Sequence, residues 1–285
     1  MARAATLRAA ACSPPTALAI LLLAVVAIGS LGADLLAPAD PLTQDVRERL
    51  RAPGGGHLLG TDRYGRDILS RVLHGLRLSL LIGGIVSAAS LVSGTALGLV
   101  SGYLGRWVDL VLMRVVDLVL SFPGILLALA FVTVAGSGIG SLSLALAIVY
   151  APPFARVVRG AVLAIREREY VEAARALGSP VRAILLHHVL PNALGPMLIQ
   201  TTLTFVYVVR AEATLSFLGL GVPPPAVSLG QLVEEGLPFL RTAPWITLLP
   251  GGVLALTLFA LNAVGDLLRD LFDPRFRPGL GRFGA

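Results

Sequence analysis

The chain has 285 residues, 55% of them apolar and only 14% charged, with a formal net charge of +6. A soluble domain carries about a quarter charged residues, so this composition excludes a water-coated globular surface, and the apolar content excludes disorder. The single cysteine, Cys12, excludes a disulfide scaffold.

A mean hydropathy of +0.82 points instead to an integral membrane protein. All 23 basic residues are Arg. Such a balance suits nucleic acid in a soluble protein. In a membrane chain it is read as loop asymmetry, and the expected surroundings are a lipid bilayer with no nucleic acid. No GxxxxGK[ST], HExxH, GxSxG or CxxC motif occurs, so the common nucleotide, metal and nucleophile signatures are missing.

A spanning helix needs about 20 apolar residues. The stretches free of Asp, Glu and Arg run in chain order as 9–33, 78–105, 118–155, 193–209 and 242–265. The first begins as helix after Pro14-Pro15. Its length exceeds the ~7–15-residue core of a cleaved signal peptide, the alternative that Arg3 and Arg8 raise. The third, as one helix, would be about 57 Å long, so the Gly136–Ser141 cluster is expected to split it into a hairpin of two spans. That predicts six transmembrane helices and an all-α fold. Small residues recur every four positions at Ser90, Gly94, Gly98 and Gly102. This face lets a second helix approach closely, either within the chain or at a subunit interface. Arg114 and Asp117 are three apart and are expected to pair, with Pro123 kinking a helix over 110–135.

Six spans put both termini on one side. With the termini in the cytoplasm, fourteen Arg fall inside and nine outside, which the positive-inside rule favours. The loop 34–77 resists this assignment with seven Arg of its own, partly offset by acidic residues.

Residues 164–191 are polar, Arg-rich and cytoplasmic in this topology. Helix formers run from Arg166 to Leu177, and Tyr170, Ala173, Ala174 and Leu177 share a predicted apolar face. Gly178-Ser179-Pro180 stops that helix, Val181–Val189 starts a second, and Leu190-Pro191 is expected to turn the chain back into the membrane. Such a pair, held outside the bilayer, suits docking into a groove of a soluble partner.

Glu172-Ala173-Ala174, three residues, Gly178, nine residues and then a four-residue unit, 188–191, that ends in Leu190-Pro191 resembles the EAA motif of ABC-importer permeases. His188 departs from the general motif. Followed by Val-Leu-Pro-Asn, it is similar to the dipeptide/oligopeptide/nickel group, and His57–Asp67, Asp117 with Ser121–Gly124, Ala211–Gly221, Ala243–Trp245, Gly265–Asp270 and Asp273–Arg275 resemble the C-type subunit of that group. Two positions depart: Arg210 stands where an apolar residue is usual, and Leu229 where Trp is usual.

The resemblance implies a type I ABC-importer permease (MetI-like) fold with a cytoplasmic coupling helix pair. Its parts are an N-tail 1–15, a first transmembrane helix 16–36, an external loop 37–75, a permease core 76–268 and a C-tail 269–285. It implies a multi-pass protein of a bacterial or archaeal cell (inner) membrane, with both termini cytoplasmic. The implied partners are a homologous permease in a heterodimer, two cytoplasmic ATPase subunits and an external solute-binding protein. ATP and Mg would sit on the ATPase subunits, leaving this chain no cofactor, no metal and no catalytic residue. Glu172, Ala173, Ala174, Leu177, Gly178, Leu190 and Pro191 would form the ATPase dock. Arg210 and Glu212 are either interfacial charges or part of an outer gate, and Phe217 and Leu218 either line a constriction or pack.

The solute implied is a di- or oligopeptide, a nickel chelate, glutathione or a related small molecule. The alternatives are a secondary transporter and a membrane enzyme. A proton-coupled carrier keeps ionisable relays at mid-membrane, and no dense cluster of that kind is present. An enzyme's metal site would have to join His57 and His74 to His187 and His188, which the topology places on opposite sides.

Overall fold

A computed structural model of the chain describes residues 14–272. Arg3, Arg8, Cys12 and the Asp273–Arg275 motif lie outside these residues, as do most of both predicted tails. Among the described residues the protein is built from helices, with two isolated β-bridges, Gly54–His57 and Thr61–Asp67, in one loop.

The helices are α1 (Pro14–Leu31), α2 (Ile68–Leu104), α3 (Arg106–Leu120), α4 (Gly124–Ala135), α5 (Ile139–Arg166), α6 (Glu169–Ala176), α7 (Val181–Phe217), α8 (Leu229–Gly236) and α9 (Trp245–Phe272). Four helical stretches are long and apolar enough to cross a membrane: α2, α5, α7 and Trp245–Arg269 of α9. The pair α3 and α4 forms a fifth if it is one broken span, and Ala17–Leu31 is a shorter apolar helix. Against the six spans expected, the described residues thus give four long ones, a fifth if the bent pair is one span, and the shorter Ala17–Leu31 helix.

Several boundaries differ from the hydropathy reading. α2 begins at Ile68 rather than Leu78, because the Asp67 carboxylate caps it by accepting from the Ser70 backbone N–H at 2.8 Å. The expected kink at Pro123 is a full break of 86°. Ser121 Oγ donates back to the Leu118 carbonyl at 2.7 Å, and the Leu126 and Leu127 N–H groups begin a new helix on the Pro123 carbonyl. The Arg114–Asp117 pair does not form; Asp117 instead accepts from Arg156 on α5. Its carboxylate turns toward the neighbouring helix, where a long Arg side chain reaches it across the α3–α5 contact.

The small-residue face of α2 packs within the chain. A Cβ on Gly94, Gly98 or Gly102 would come within 2.7, 2.6 and 2.9 Å of Phe154, Val158 and Val162 on α5. The missing side chains set how closely these two helices approach. α7 packs on both, and α9 packs against α1, α7 and α8. One buried cluster, including Ile82, Val132, Leu146 and Leu215, joins α2, α4, α5 and α7. A second, including Val72, Leu76, Leu229 and Ile246, gathers α8 and α9 at the start of α2. A third, including Val158, Val162, Val171 and Ile184, fastens α6 beneath α5. Large apolar side chains such as Leu21, Val92, Leu126, Leu248 and Phe259 stay exposed along the flanks, as a bundle bounded by lipid or other membrane helices requires.

Candidate functional site

α6 is one short helix between two turns. Glu169 and Glu172 lie in its first turn and Arg175 in its last, matching the helix dipole. Gly178 ends it at φ +75°. The Ser179 N–H bonds the Ala174 carbonyl at 3.1 Å and the Gly178 N–H bonds that of Arg175 at 3.0 Å, a Schellman pair whose left-handed residue is best supplied by Gly. A Cβ on Gly178 would meet nothing within 4 Å, so the constraint is backbone conformation rather than space.

The inward face of α6 is Val171 and Ala174, packed with Ile184 and Val189. The predicted apolar face is therefore turned: Tyr170 and Ala173 are exposed, and Leu177 is 86% exposed. Tertiary packing on Val162 and Ile184 sets the rotation of a helix that is apolar on more than one side. Glu172, Ala173, Leu177 and Gly178 consequently lie together on one free surface, joined by the exposed Val181 and Leu186 of α7. Ala174 belongs to the buried seam instead. The loop is held to the bundle by Arg166, which donates to the Gly102 carbonyl at 2.8 Å, and by Arg175, stacked 5.7 Å over Tyr103.

Leu190 and Pro191 do not turn the chain. Helix α7 runs continuously from Val181 to Phe217 through a π-helical segment, Leu185–Val189. The wider winding there absorbs Pro191, which has no N–H to donate, and the Asn192 side-chain amide donates to the His188 carbonyl at 2.7 Å. Leu190 is half-buried, and Pro191 is exposed just beyond the loop.

The far end of α7 holds the other candidates, and they separate. Glu212 is 0% exposed, wedged where α2, α7 and α8 meet. Its Oε1 accepts from Ser216 Oγ at 2.7 Å, while Oε2 has no partner among the described residues. Gly230 of α8 lies so close to α7 that a Cβ would come 2.2 Å from the Ala213 carbonyl. Arg210 points to another face, exposed, with its guanidinium 5.4 Å over the Tyr207 ring. It borders a cavity of about 430 Å³ in the elbow of α3 and α4. Phe217 and Leu218 are exposed at the helix end.

That end also carries a compact ion network. Asp62 accepts from Arg66 Nε at 2.6 Å and Arg71 Nη1 at 2.8 Å, and both Arg also reach Glu235 of α8. His57 bridges Asp67 at 2.9 Å and Glu48 at 2.7 Å. Asp67 hydrogen-bonding holds the imidazole above its usual value of 6.5, against the opposing effect of burial and with help from Glu48. Gly60 and Gly65 sit where a Cβ would collide with the Arg51 and Asp45 carbonyls.

Residues 94–278 match the family model for the binding-protein-dependent transport system inner membrane component. The chain belongs to that family. It is 40% identical to the dipeptide transport system permease protein DppC of Alkalihalophilus pseudofirmus over 86% of this chain and 81% of that protein. It is 36% identical to DppC of Haemophilus influenzae over 90% of each. The glutathione transport system permease protein GsiD of Pectobacterium atrosepticum is 38% identical over 86% of this chain and 82% of its own. A chain of the MetNI methionine ABC transporter in an inward facing conformation shares the fold, with TM-score 0.56 and 22% identity over 70% of this chain and 96% of that one.

The protein is thus a permease subunit of an ABC importer, a transport component of the inner membrane. The sequence motifs at 57–67 and 211–221 marked several of the site's polar residues, Asp62, Arg66, Asp67 and Glu212 among them, but not their partners. Arg71 and Glu235, central to the ion network, stood in no motif. As single charges far apart in the sequence they gave no pairing.

Proposed function

We propose that this permease imports di- or oligopeptides, or a related small solute such as glutathione, by forming a path with a homologous permease subunit. Two ATPase subunits would bind at the α6 surface, holding ATP and Mg, and a solute-binding protein would deliver the solute at the opposite end. In this reading the α6 end is cytoplasmic, both termini lie inside, and segments 37–74 and 222–243 face the receptor. The observation that carries it is the outward grouping of Glu172, Ala173, Leu177 and Gly178 on a helix anchored from beneath by Val171 and Ala174. An acidic helix start beside exposed apolar side chains suits a groove with basic or amide donors and an apolar floor. The relatives named for dipeptide and glutathione transport support the solute class.

The experiment is co-purification of the ATPase subunits with Glu172→Lys and Gly178→Leu, alongside uptake. Both variants insert normally, and ATPase recovery and uptake fall about tenfold, the loss expected from one charged contact or one forced turn. Normal recovery and uptake in both variants would refute the dock. Reporter fusions after Gly55 and Gly281 check orientation, with periplasmic activity expected at Gly55 and cytoplasmic activity at Gly281.

A further inference from the structure

Arg210 lies within a membrane-length helix, seven residues or about 10 Å from its end at Phe217. Among the described residues no carboxylate comes within ion-pair distance of it. The nearest acid in sequence, Glu212, is buried on another face and bonded to Ser216. An unpaired Arg at membrane depth costs about 2.5–3.5 kcal/mol or more unless it faces water or a counter-charge. Snorkelling does not relieve it here. Helical side chains lean toward the helix N-terminus, and Arg210 does so, resting over Tyr207 and away from the nearer end at Phe217. The surface it lies on is a cavity rather than a flat flank. Tyr150, Pro153, Phe122, Gly124 and Thr214 share its walls. Tyr150 Oη donates to the Tyr207 carbonyl at 3.2 Å, fixing α5 against α7. The result is an exposed guanidinium backed by an aromatic ring, with hydroxyls beside it and the 86° break of α3 and α4 opening the space in front.

We propose that Arg210 and this cavity form a transient site for the anionic end of the transported solute, a carboxylate. The guanidinium offers two parallel N–H donors that match a carboxylate, and the cavity's low-polarity walls strengthen that pairing relative to water. A single-point contact with few other polar groups binds weakly, as a path must to release its cargo. The site rests on the peptide-type solute reading above. A lipid phosphate is the other source of the same chemistry, and it would require the cavity to face hydrocarbon.

The test uses the assembled transporter with receptor in proteoliposomes. In a Cys12→Ser background, Thr214→Cys places a thiol one turn from Arg210 on the cavity wall. Its modification by an anionic sulfonatoethyl and by a cationic trimethylammonioethyl methanethiosulfonate is followed by mass spectrometry of this chain. The anionic reagent reacts about tenfold faster, as field focusing in a low-dielectric cleft predicts. Arg210→Met removes that preference and Arg210→Lys retains it. Absence of reaction with either reagent would place the wall in lipid or in a sealed contact and overturn the proposal, as would a preference that survives Arg210→Met. In a second arm, di- and trialanine are compared with their C-terminal amides. Arg210→Met lowers uptake of the free acids about tenfold and leaves amide uptake within about twofold of wild type. Equal loss for acids and amides would also overturn it. Wild-type transport of none of these peptides would count against the peptide reading alone, and the thiol arm would still decide whether an anion site exists.

Discussion

Arg71 and Glu235 stand 164 positions apart in the chain and meet at 2.8 Å. Through this pair the first turn of α2 is tied to α8, and through Asp62 the same guanidinium holds the loop that precedes α2. Arg71 is 3% exposed, so its charge is neutralised only by these carboxylates. The proposed receptor-facing end is therefore one unit rather than a loop and a helix laid side by side. The Glu235 carboxylate is occupied throughout, by Arg66, Arg71 and Gln231.

Arg71→Met leaves Asp62 and Glu235 short of a counter-charge in a buried setting. Breaking one partner of such a pair costs about 3–5 kcal/mol. The expected outcome is a large fall in the detergent melting temperature of the purified permease. Glu235→Gln keeps hydrogen bonding and loses less. A melting temperature unchanged in Arg71→Met would show that the network carries no net stability.

The α2–α5 seam gives a sharper contrast because two glycines on one helix face different surroundings. A Cβ on Gly98 would come within 2.6 Å of Val158, whereas one on Gly84 meets nothing within 4 Å. Gly98→Ala forces the helices apart and destabilises by roughly 1–3 kcal/mol. Gly84→Ala is neutral or stabilises by up to about 1 kcal/mol through helix propensity. Size-exclusion profiles after graded heating measure both, and equal profiles would contradict the packing argument.

The helices and this seam were legible because both depend on local period and side-chain size: apolar runs mark α2, α5, α7 and α9, and Gly94, Gly98 and Gly102 recur on one face. The Gly178 turn was legible for a similar reason, since φ and capping are local. What escaped depended on distant partners. The rotation of α6 is decided by Val162 and Ile184 beneath it, so the face inferred from Tyr170, Ala173, Ala174 and Leu177 was mostly the outer one. Asp117 was given the neighbour three residues away, while its partner, Arg156, is 39 residues on. Leu190-Pro191 read as a turn because Pro ends ordinary α-helices, and the π-helical Leu185–Val189 that carries the chain through it has no simple sequence mark.

The two faces of α6 predict a separation of stability from docking. Val171→Ala opens space beneath the helix and costs roughly 1–3 kcal/mol, seen as earlier proteolysis of the 164–191 loop. Leu177→Ala changes stability by no more than about 0.5 kcal/mol, as for other exposed positions. It nonetheless lowers recovery of the ATPase subunits. If Val171→Ala and Leu177→Ala proved alike in both assays, the assignment of inner and outer faces would be wrong.

At the opposite end of the protein, pH acts through His57. His57 is held between Asp67 and Glu48, and Glu48 in turn pairs with Arg51. Its folded pKa is raised above 6.5, chiefly by the Asp67 hydrogen bond. A group with a raised folded pKa contributes stability that is complete below its unfolded value and is lost as pH rises through the folded value. The 48–67 loop should therefore be most firmly closed below about pH 6.5 and loosen as pH rises above it. Amide hydrogen exchange corrected for its intrinsic pH dependence reads this directly. The Leu50 N–H on the Asp62 carbonyl and the Thr61 N–H on the Arg51 carbonyl are the reporters. Protection at both falls with rising pH in wild type, and His57→Gln flattens the profile. Glu48→Gln shifts the loss of protection to lower pH, since one of the two carboxylates that favour the imidazolium is gone. A profile in His57→Gln that still follows wild type, or protection that grows with pH, would show that this imidazole does not control the loop.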